Sequence, residues 1–193
     1  LERGGKQMQF TVEPATGDGG TGLGVMIRDA ITGIGTVTYY DPETGNFAAL
    51  GHSISDVDTG VLLPLKSGKL LYSEVESVIK GVSGTPGELR GKFDMTRELG
   101  SITANTEHGI FGTCAGMDTG RMEAVEVAAR TEIQTGKATV LANVSGNEVC
   151  AYDVEIVRIY PDDESGKDMM ISICDEQLLE LCGGIVQGMS GSP

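Results

Sequence analysis

Residues 183–193 read GGIVQGMSGSP and place Ser190 between two nearby glycines, Gly188 and Gly191. Glycines on both sides let the backbone take a tight, partly left-handed turn that exposes the serine Oγ. In such a turn the N–H groups of Gly188 and Ser190 can converge on one point, as acyl transfer by a serine requires. Short glycine-serine motifs also recur by chance, so the alternative is a loop without chemistry.

The rest of the chain has the composition of a β-rich domain. Of its 193 residues 29 are glycine, and without a Gly-X-Y period this indicates many tight turns. Hydrophobic residues make up 39% of the chain, enough for a core. Turn signals recur roughly every 8–12 residues between β-branched runs, which is typical of a barrel or sandwich.

Alternating and β-branched runs predict strands at 7–13, 23–27, 35–40, 47–51, 61–65, 70–72, 137–144 and 148–160. Turns are predicted at 41–46, 66–69 and 145–147. The Gly-rich run 15–22 has the composition of a flexible linker. One short helix is predicted at 175–182, with an acidic start and two glycines after it. The run 122–130 suits a helix or a strand, and we assign it as a strand.

The net charge of −14 opposes nucleic-acid binding, because a protein that grips phosphates needs a basic face. A basic substrate or partner suits this charge better. No apolar run approaches the ~18 residues of a membrane helix, so we expect the chain as given to be soluble. The cysteines form no CxxC pair, which disfavours structural zinc, and we favour buried free thiols over disulfides for Cys114, Cys150, Cys174 and Cys182.

A serine nucleophile needs an imidazole base, and the chain has two histidines. His52 follows a predicted strand, where a loop side chain can point into a cleft. His108 sits at a turn and suits a surface or capping role better. His52 and Ser190 are 138 residues apart, which favours a two-barrel β protease whose histidine and serine come from different halves.

The acid that orients the histidine has two candidates. In the order His, Asp, Ser the acid commonly lies about a third of the way along, near Asp94. Asp175 lies 15 residues before Ser190, but it also opens the predicted helix, where aspartate is a favoured N-cap. Asp56 and Asp58 suit turn roles. Local reasoning leaves Asp94 and Asp175 both open.

Further strings accompany the Ser190 stretch: RDA at 28–30, GIGT at 33–36, ALGHSISDVD at 49–58 and GIFGT at 109–113. Together they resemble the peptidase domain of the stage IV sporulation protein B family, from about Gly22 to Pro193. This resemblance implies an all-β, trypsin/chymotrypsin-like double β-barrel fold, here truncated at its C-terminal end. It also implies that residues 1–14 are the last strand of a preceding PDZ domain, 15–22 a linker, and 23–193 an incomplete serine peptidase domain.

The resemblance assigns the catalytic roles to His52, Asp175 and Ser190. Asp175 matches the family's acid, which stands 15 residues before the serine and just ahead of a Leu-Leu. The backbone N–H groups of Gly188 and Ser190 are expected to form the oxyanion hole. This chemistry needs neither a metal nor an organic cofactor.

The family implies a regulatory serine endopeptidase that cleaves a membrane-associated regulator, and itself, to trigger intramembrane processing of a late sporulation sigma factor. We expect the full-length protein to be membrane-tethered outside the mother-cell cytoplasm. The alternatives are a non-catalytic peptide-binding β module with an acidic face and an inactive pseudoprotease. The strands that wall the specificity pocket are expected after residue 193, so we expect this fragment to label weakly with a fluorophosphonate probe.

Overall fold

The computed structural model of the chain describes residues 1–3, 5–17, 20–23, 30–118, 123–161 and 167–193. The chain divides into two compact units, Leu1–Thr32 and Gly33–Pro193. The first unit has two short antiparallel pairs: β1 (Glu2–Arg3) with β2 (Lys6–Gln7), and β3 (Ala15–Gly17) with β4 (Gly20–Gly22).

The prediction of a strand at 7–13 is wrong, since of that run only Gln7 lies in a strand. Phe10 and Val12 are exposed, and no described strand pairs with residues 8–13, so the alternation covers no core. Where the composition predicts a flexible linker, β3 and β4 form a hairpin. The predicted strand at 23–27 lies outside the described residues except for Leu23, which is in no strand.

The second unit begins with a sheet of long and short strands. In chain order these are β5 (Val37–Tyr40), β6 (Asn46–Ala49), β7 (Gly68–Ile79), β8 (Gly87–Thr106) and β9 (Gly109–Cys114). Along the sheet β8, β9, β6 and β5 are neighbours, and β7 also pairs with β8. Phe47, Ala49, Ile110 and Cys114 form its buried core.

The second sheet contains β10 (Gly136–Ala142), β11 (Cys150–Ile159) and β12 (Met169–Ile173), all antiparallel. Helix α1 (Glu176–Cys182) follows β12, and β13 (Val186–Gln187) then returns to pair in parallel with the start of β8. These elements share a second buried core, formed by Leu89, Ala142, Val144, Tyr152, Val186, Met189 and by two residues of α1, Leu178 and Cys182. Two sheets with separate cores agree with the predicted all-β, chymotrypsin-like fold.

Several predicted elements are confirmed: the strands β5, β6, β10 and β11, the turn at 41–46 and the helix α1. The hairpin predicted over 61–72 is wrong. Residues 61–65 form only an isolated bridge between Leu62 and Ser55, and the following strand pairs with β8 instead. The strand predicted at 122–130 is also wrong, since 123–129 have no regular structure and Val125 and Val127 are exposed.

All four cysteines are free thiols, as the sequence favours. Cys114 and Cys182 are buried and Cys150 is half-buried, whereas Cys174 is exposed. Within the described residues, no helix combines the length and the apolar character needed to cross a membrane.

Candidate active site

The turn that carries Ser190 is anchored by buried apolar residues on its N-terminal side. Val186 and Met189 both belong to the core beneath the second sheet. The Met189 N–H donates to the Val186 carbonyl at 3.2 Å, and the Ser192 N–H donates to the Met189 carbonyl at 3.0 Å. Gly188 and Gly191 have φ values of 103° and 91°, so the predicted left-handed turn around Ser190 is confirmed.

Two N–H groups of this turn are uncommitted. Among the described residues, no partner accepts a hydrogen bond from the N–H of Ser190 or Gly191. Buried or half-buried backbone donors are normally paired, so free donors at a turn beside a serine are available to a ligand.

His52 follows β6 where the chain turns sharply. Leu50 and Gly51 both have positive φ, 75° and 71°, and Leu50 is the one such non-glycine residue in the described part of the chain. Strained backbone of this kind clusters at functional sites. The exposed His52 ring places Nδ1 2.9 Å from the Ser53 carbonyl. A carbonyl can only accept, so this contact favours the tautomer with Nδ1 protonated and leaves Nε2 free to take a proton.

The loop after His52 is held by one side chain from β8. The Asn105 amide donates to the carbonyls of Ile54 and Leu63 at 2.8 and 2.9 Å, and its Oδ1 accepts from the Ile54 N–H at 2.8 Å. Asn105 thereby ties both ends of the loop to the first sheet.

The segments of His52 and Ser190 meet at Thr36. The Thr36 N–H donates to the Ser190 carbonyl at 3.0 Å, and the Leu50 N–H donates to the Thr36 carbonyl at 3.2 Å. The space beside Gly191 is filled by the same atoms, because an added Cβ would lie 2.5 Å from the Thr36 oxygen and 2.6 Å from the Leu50 nitrogen. The structure therefore brings the Ser190 turn against the end of β6 that precedes His52.

Asp175 caps α1. Its Oδ1 accepts from the Leu178 N–H at 2.9 Å, and its Oδ2 accepts from the Asp153 N–H at 3.3 Å. Asp94 lies in β8 and is exposed, and its Oδ1 accepts from both the N–H and the hydroxyl of Thr96. The hydrogen bond from the Thr96 hydroxyl is the main cause that lowers the pKa of Asp94. Within the described residues, neither carboxylate has a hydrogen bond to His52.

The remaining candidates have local roles. His108 lies in the turn between β8 and β9, and its N–H donates to the Thr106 hydroxyl. The Asp56 carboxylate accepts from the N–H groups of Asp58 and Thr59 in a turn of its own. The turn roles predicted for these residues are confirmed.

An apolar pocket of about 240 Å³ opens beside Ser190. Each strand of the second sheet contributes aliphatic side chains to it, including Val140, Val154 and Ile171, and Ser190 and Gly191 complete its wall. None of its lining residues is charged.

Sequence reasoning missed Thr36 and Asn105. Thr36 ends the GIGT string at 33–36, whereas Asn105 stands in none of the quoted strings. Each acts through hydrogen bonds to backbone groups far away in the sequence, so the neighbouring residues do not show its role. Within the described residues, no group of three or more histidine, cysteine, aspartate or glutamate side chains could hold a metal ion.

Comparison with known proteins gives a family match. The family model described as SpoIVB peptidase S55 matches residues 19–193, whereas no curated protein and no solved structure matches the chain. The match spans most of the chain and includes both the His52 loop and the Ser190 turn, and the family implies a serine peptidase with a role in sporulation. The chain therefore belongs to the SpoIVB peptidase S55 family.

Proposed function

We propose that this chain is the catalytic part of a regulatory serine endopeptidase, with Ser190 as nucleophile and His52 as general base. The observation that carries this proposal is the hydrogen-bonded path from the Ser190 carbonyl through Thr36 to Leu50. Leu50 lies two residues before His52. It joins a serine at a left-handed turn, free backbone donors and an accessible imidazole in one region of the fold.

In the proposed reaction, the Ser190 Oγ attacks the scissile carbonyl carbon while its proton passes to His52 Nε2. The N–H groups of Gly188 and Ser190 donate to the oxyanion of the tetrahedral intermediate. The C–N bond then breaks, and His52 gives the proton to the leaving amine. Water attacks the acyl-serine in the same way, which releases the acid and restores Ser190.

Asp175 is proposed as the acid that orients His52, on the strength of its position in the family motif. Its carboxylate is held by the Leu178 and Asp153 N–H groups, and the Ser53 carbonyl occupies His52 Nδ1. This role therefore requires the His52 ring to leave the Ser53 carbonyl when substrate binds. A carboxylate at Nδ1 would then stabilise the imidazolium that forms during attack.

We further propose that the substrate is a membrane-associated regulator of an intramembrane protease, that the protein also cleaves itself, and that it acts outside the mother-cell cytoplasm from a membrane anchor. These assignments extend the sporulation role of the family. The apolar pocket beside Ser190 is in keeping with a peptide substrate that presents an apolar side chain there.

Fluorophosphonate labelling of the full-length protein tests the nucleophile. We expect Ser190→Ala to abolish labelling and peptide cleavage, while Ser192→Ala remains labelled. Ser192 is the matched control because it lies in the same turn and its buried hydroxyl has no hydrogen-bond partner among the described residues. Cleavage that persists in Ser190→Ala would exclude this serine as the nucleophile, and peptide binding without turnover in the wild type would identify a non-catalytic module or a pseudoprotease.

The acid is tested by the pH dependence of turnover in Asp175→Asn and Asp94→Asn. We expect Asp175→Asn to lose most of its turnover near neutral pH, because the neutral amide does not stabilise the imidazolium. Asp94→Asn should keep a near-normal rate, since its carboxylate serves a local contact with Thr96. The reverse pattern would remove Asp175 from the triad.

A further inference from the structure

Thr36 forms hydrogen bonds with two carbonyls of the Ser190 turn. The peptide between Gly188 and Met189 is held on both sides: its N–H donates to the Val186 carbonyl, and its carbonyl accepts from the Thr36 hydroxyl at 3.3 Å. The Ser190 carbonyl, two residues further along the chain, accepts from the Thr36 N–H. One residue thus contacts the turn on either side of Met189.

These contacts fix the peptide that separates the two proposed oxyanion donors. The Gly188 N–H precedes this peptide and the Ser190 N–H follows it, so a rotation of the peptide plane would swing the two donors apart. Gly188 has φ of 103° and no side chain, so its own conformational preference does little to resist such a rotation. The Thr36 hydroxyl therefore adds a second restraint to the one that the Val186 carbonyl provides through the Met189 N–H.

We propose that Thr36 is a positioning residue that holds the oxyanion hole of the Ser190 turn in register with the His52 strand end. This inference rests on the proposed peptidase function. Thr36 is half-buried and lies directly before β5, and its carbonyl accepts from the Leu50 N–H. The backbone bonds of Thr36 set the spacing of the two segments, and its hydroxyl sets the orientation of the Gly188 peptide.

Two substitutions in the full-length protein separate the hydroxyl from the backbone. Thr36→Val keeps the shape and the backbone bonds but removes the donor, whereas Thr36→Ser keeps the donor. We expect Thr36→Val to lower kcat about tenfold with KM nearly unchanged, because the oxyanion is stabilised only in the transition state. Thr36→Ser should restore kcat to within about twofold of the wild type.

The matched control is Thr103→Val. The Thr103 hydroxyl also donates to a backbone carbonyl at 3.3 Å, in this case that of Phe111. This hydrogen bond joins β8 to β9 and does not involve the Ser190 turn. Thr103→Val should leave kcat and KM unchanged. If the lost hydroxyl acted only by destabilising the fold, Thr36→Val and Thr103→Val would both lower the free energy of unfolding. Urea unfolding of each variant measures this loss of stability.

A peptide boronate, which forms a tetrahedral adduct on the serine, provides the second readout. Its affinity should fall in Thr36→Val by the same factor as kcat, while the affinity of an unreactive substrate peptide stays constant. Equal kcat in Thr36→Val and wild type, or equal losses in Thr36→Val and Thr36→Ser, would overturn the role of the hydroxyl. A wild type without turnover or Ser190 labelling would instead refute the proposed function itself.

Discussion

At the scale of single residues, the site depends on groups that carry no reactive chemistry. Gly191 allows the Ser190 turn to lie against Thr36 and Leu50, because a side chain at this position would overlap their backbone atoms. Asn105 provides three hydrogen bonds to the loop after His52. Each of these residues fixes the position of a proposed catalytic group from outside the reaction.

Gly191→Ala should abolish most activity. The added Cβ would lie 2.5 Å from the Thr36 oxygen at a φ of 91°, so the turn must shift. A displacement of the nucleophile on the order of 1 Å lowers kcat/KM about 100-fold. The control is Gly33→Ala, where a Cβ meets no atom within 4 Å and φ is not positive. Peptide hydrolysis by both variants measures the effect, and wild-type activity in Gly191→Ala would contradict it.

Asn105→Leu should loosen the loop that follows His52. The Ile54 N–H loses its acceptor, and the stability of the fold should fall by about 2 kcal/mol because half-buried polar groups are left unpaired. Hydrogen exchange at the Ile54 amide measures the first effect and urea unfolding the second.

Asn143→Leu is the control for this prediction. The Asn143 side chain makes comparable bonds to the backbone of Ser145 and Gly146, within its own turn. It should leave exchange at Ile54 unchanged. Unaltered protection of Ile54 in Asn105→Leu would show that the loop does not depend on Asn105.

At the scale of elements, α1 connects the proposed acid to the core of the second sheet. Asp175 caps the helix, Leu178 and Cys182 bury its inner face, and Gly183 ends it in the left-handed conformation with φ of 72°. The Gly81 N–H donates to the Cys182 carbonyl, so the end of the helix is also tied to the β7–β8 connection. Mutation of Asp175 can therefore disturb the fold as well as the reaction.

Asp175→Ala and Asp175→Asn should separate these two effects. Alanine removes the cap and should lower the free energy of unfolding by about 1 kcal/mol, whereas asparagine caps almost as well as aspartate. If Asp175 orients His52, both variants lose turnover, and Asp175→Ala loses more stability than Asp175→Asn, which keeps the cap and loses only the acceptor that faces the Asp153 N–H. Urea unfolding and peptide hydrolysis of the same preparations make this comparison, and equal destabilisation by both substitutions would show that the cap contributes little.

At the scale of the whole molecule, the two cores have different chemistry. The first contains mainly aliphatic and aromatic residues, whereas the second encloses the Tyr152 phenol close to Cys150 and Cys182. Burial, followed by the neighbouring Cys150, raises the pKa of Tyr152 to about 12, and burial also raises the pKa of Cys182. Both groups are therefore held in their neutral forms in the folded protein.

Stability should fall as the pH rises through this range. The folded pKa of Tyr152 lies above the ordinary value of 10.0, so the neutral phenol contributes its full stabilisation below about pH 10 and loses it between about pH 10 and pH 12. Tyr152→Phe should flatten this loss in urea unfolding at alkaline pH. Tyr39→Phe, at an exposed tyrosine, should leave the pH profile as in the wild type. Identical profiles for Tyr152→Phe and wild type would assign the loss to other groups.

The local elements that the sequence predicts are those whose signal is contained in a few neighbouring residues. The helix α1 has its cap, its helix formers and its terminating glycines within one short run, and the Ser190 turn has its glycines beside it. The hairpin predicted over 61–72 failed because 61–65 are held by Asn105 and Ile54, and β7 pairs with β8 instead. β8 is not among the strands predicted from the sequence, although charged residues alternate with apolar residues or glycine over 87–95.

The sequence by itself determined the fold class, the left-handed turn around Ser190 and the candidate base His52, because glycine spacing and local capping patterns act over short distances. The tertiary structure alone decided that Thr36 joins the Ser190 turn to the His52 strand end, that Asn105 holds the following loop, and that the Asp175 carboxylate also accepts from the Asp153 N–H of β11. These contacts are hydrogen bonds between backbone and side-chain groups separated by up to 152 residues, as for Thr36 and Gly188. Such pairings depend on how the sheets pack, and no pattern within a strand or turn encodes them.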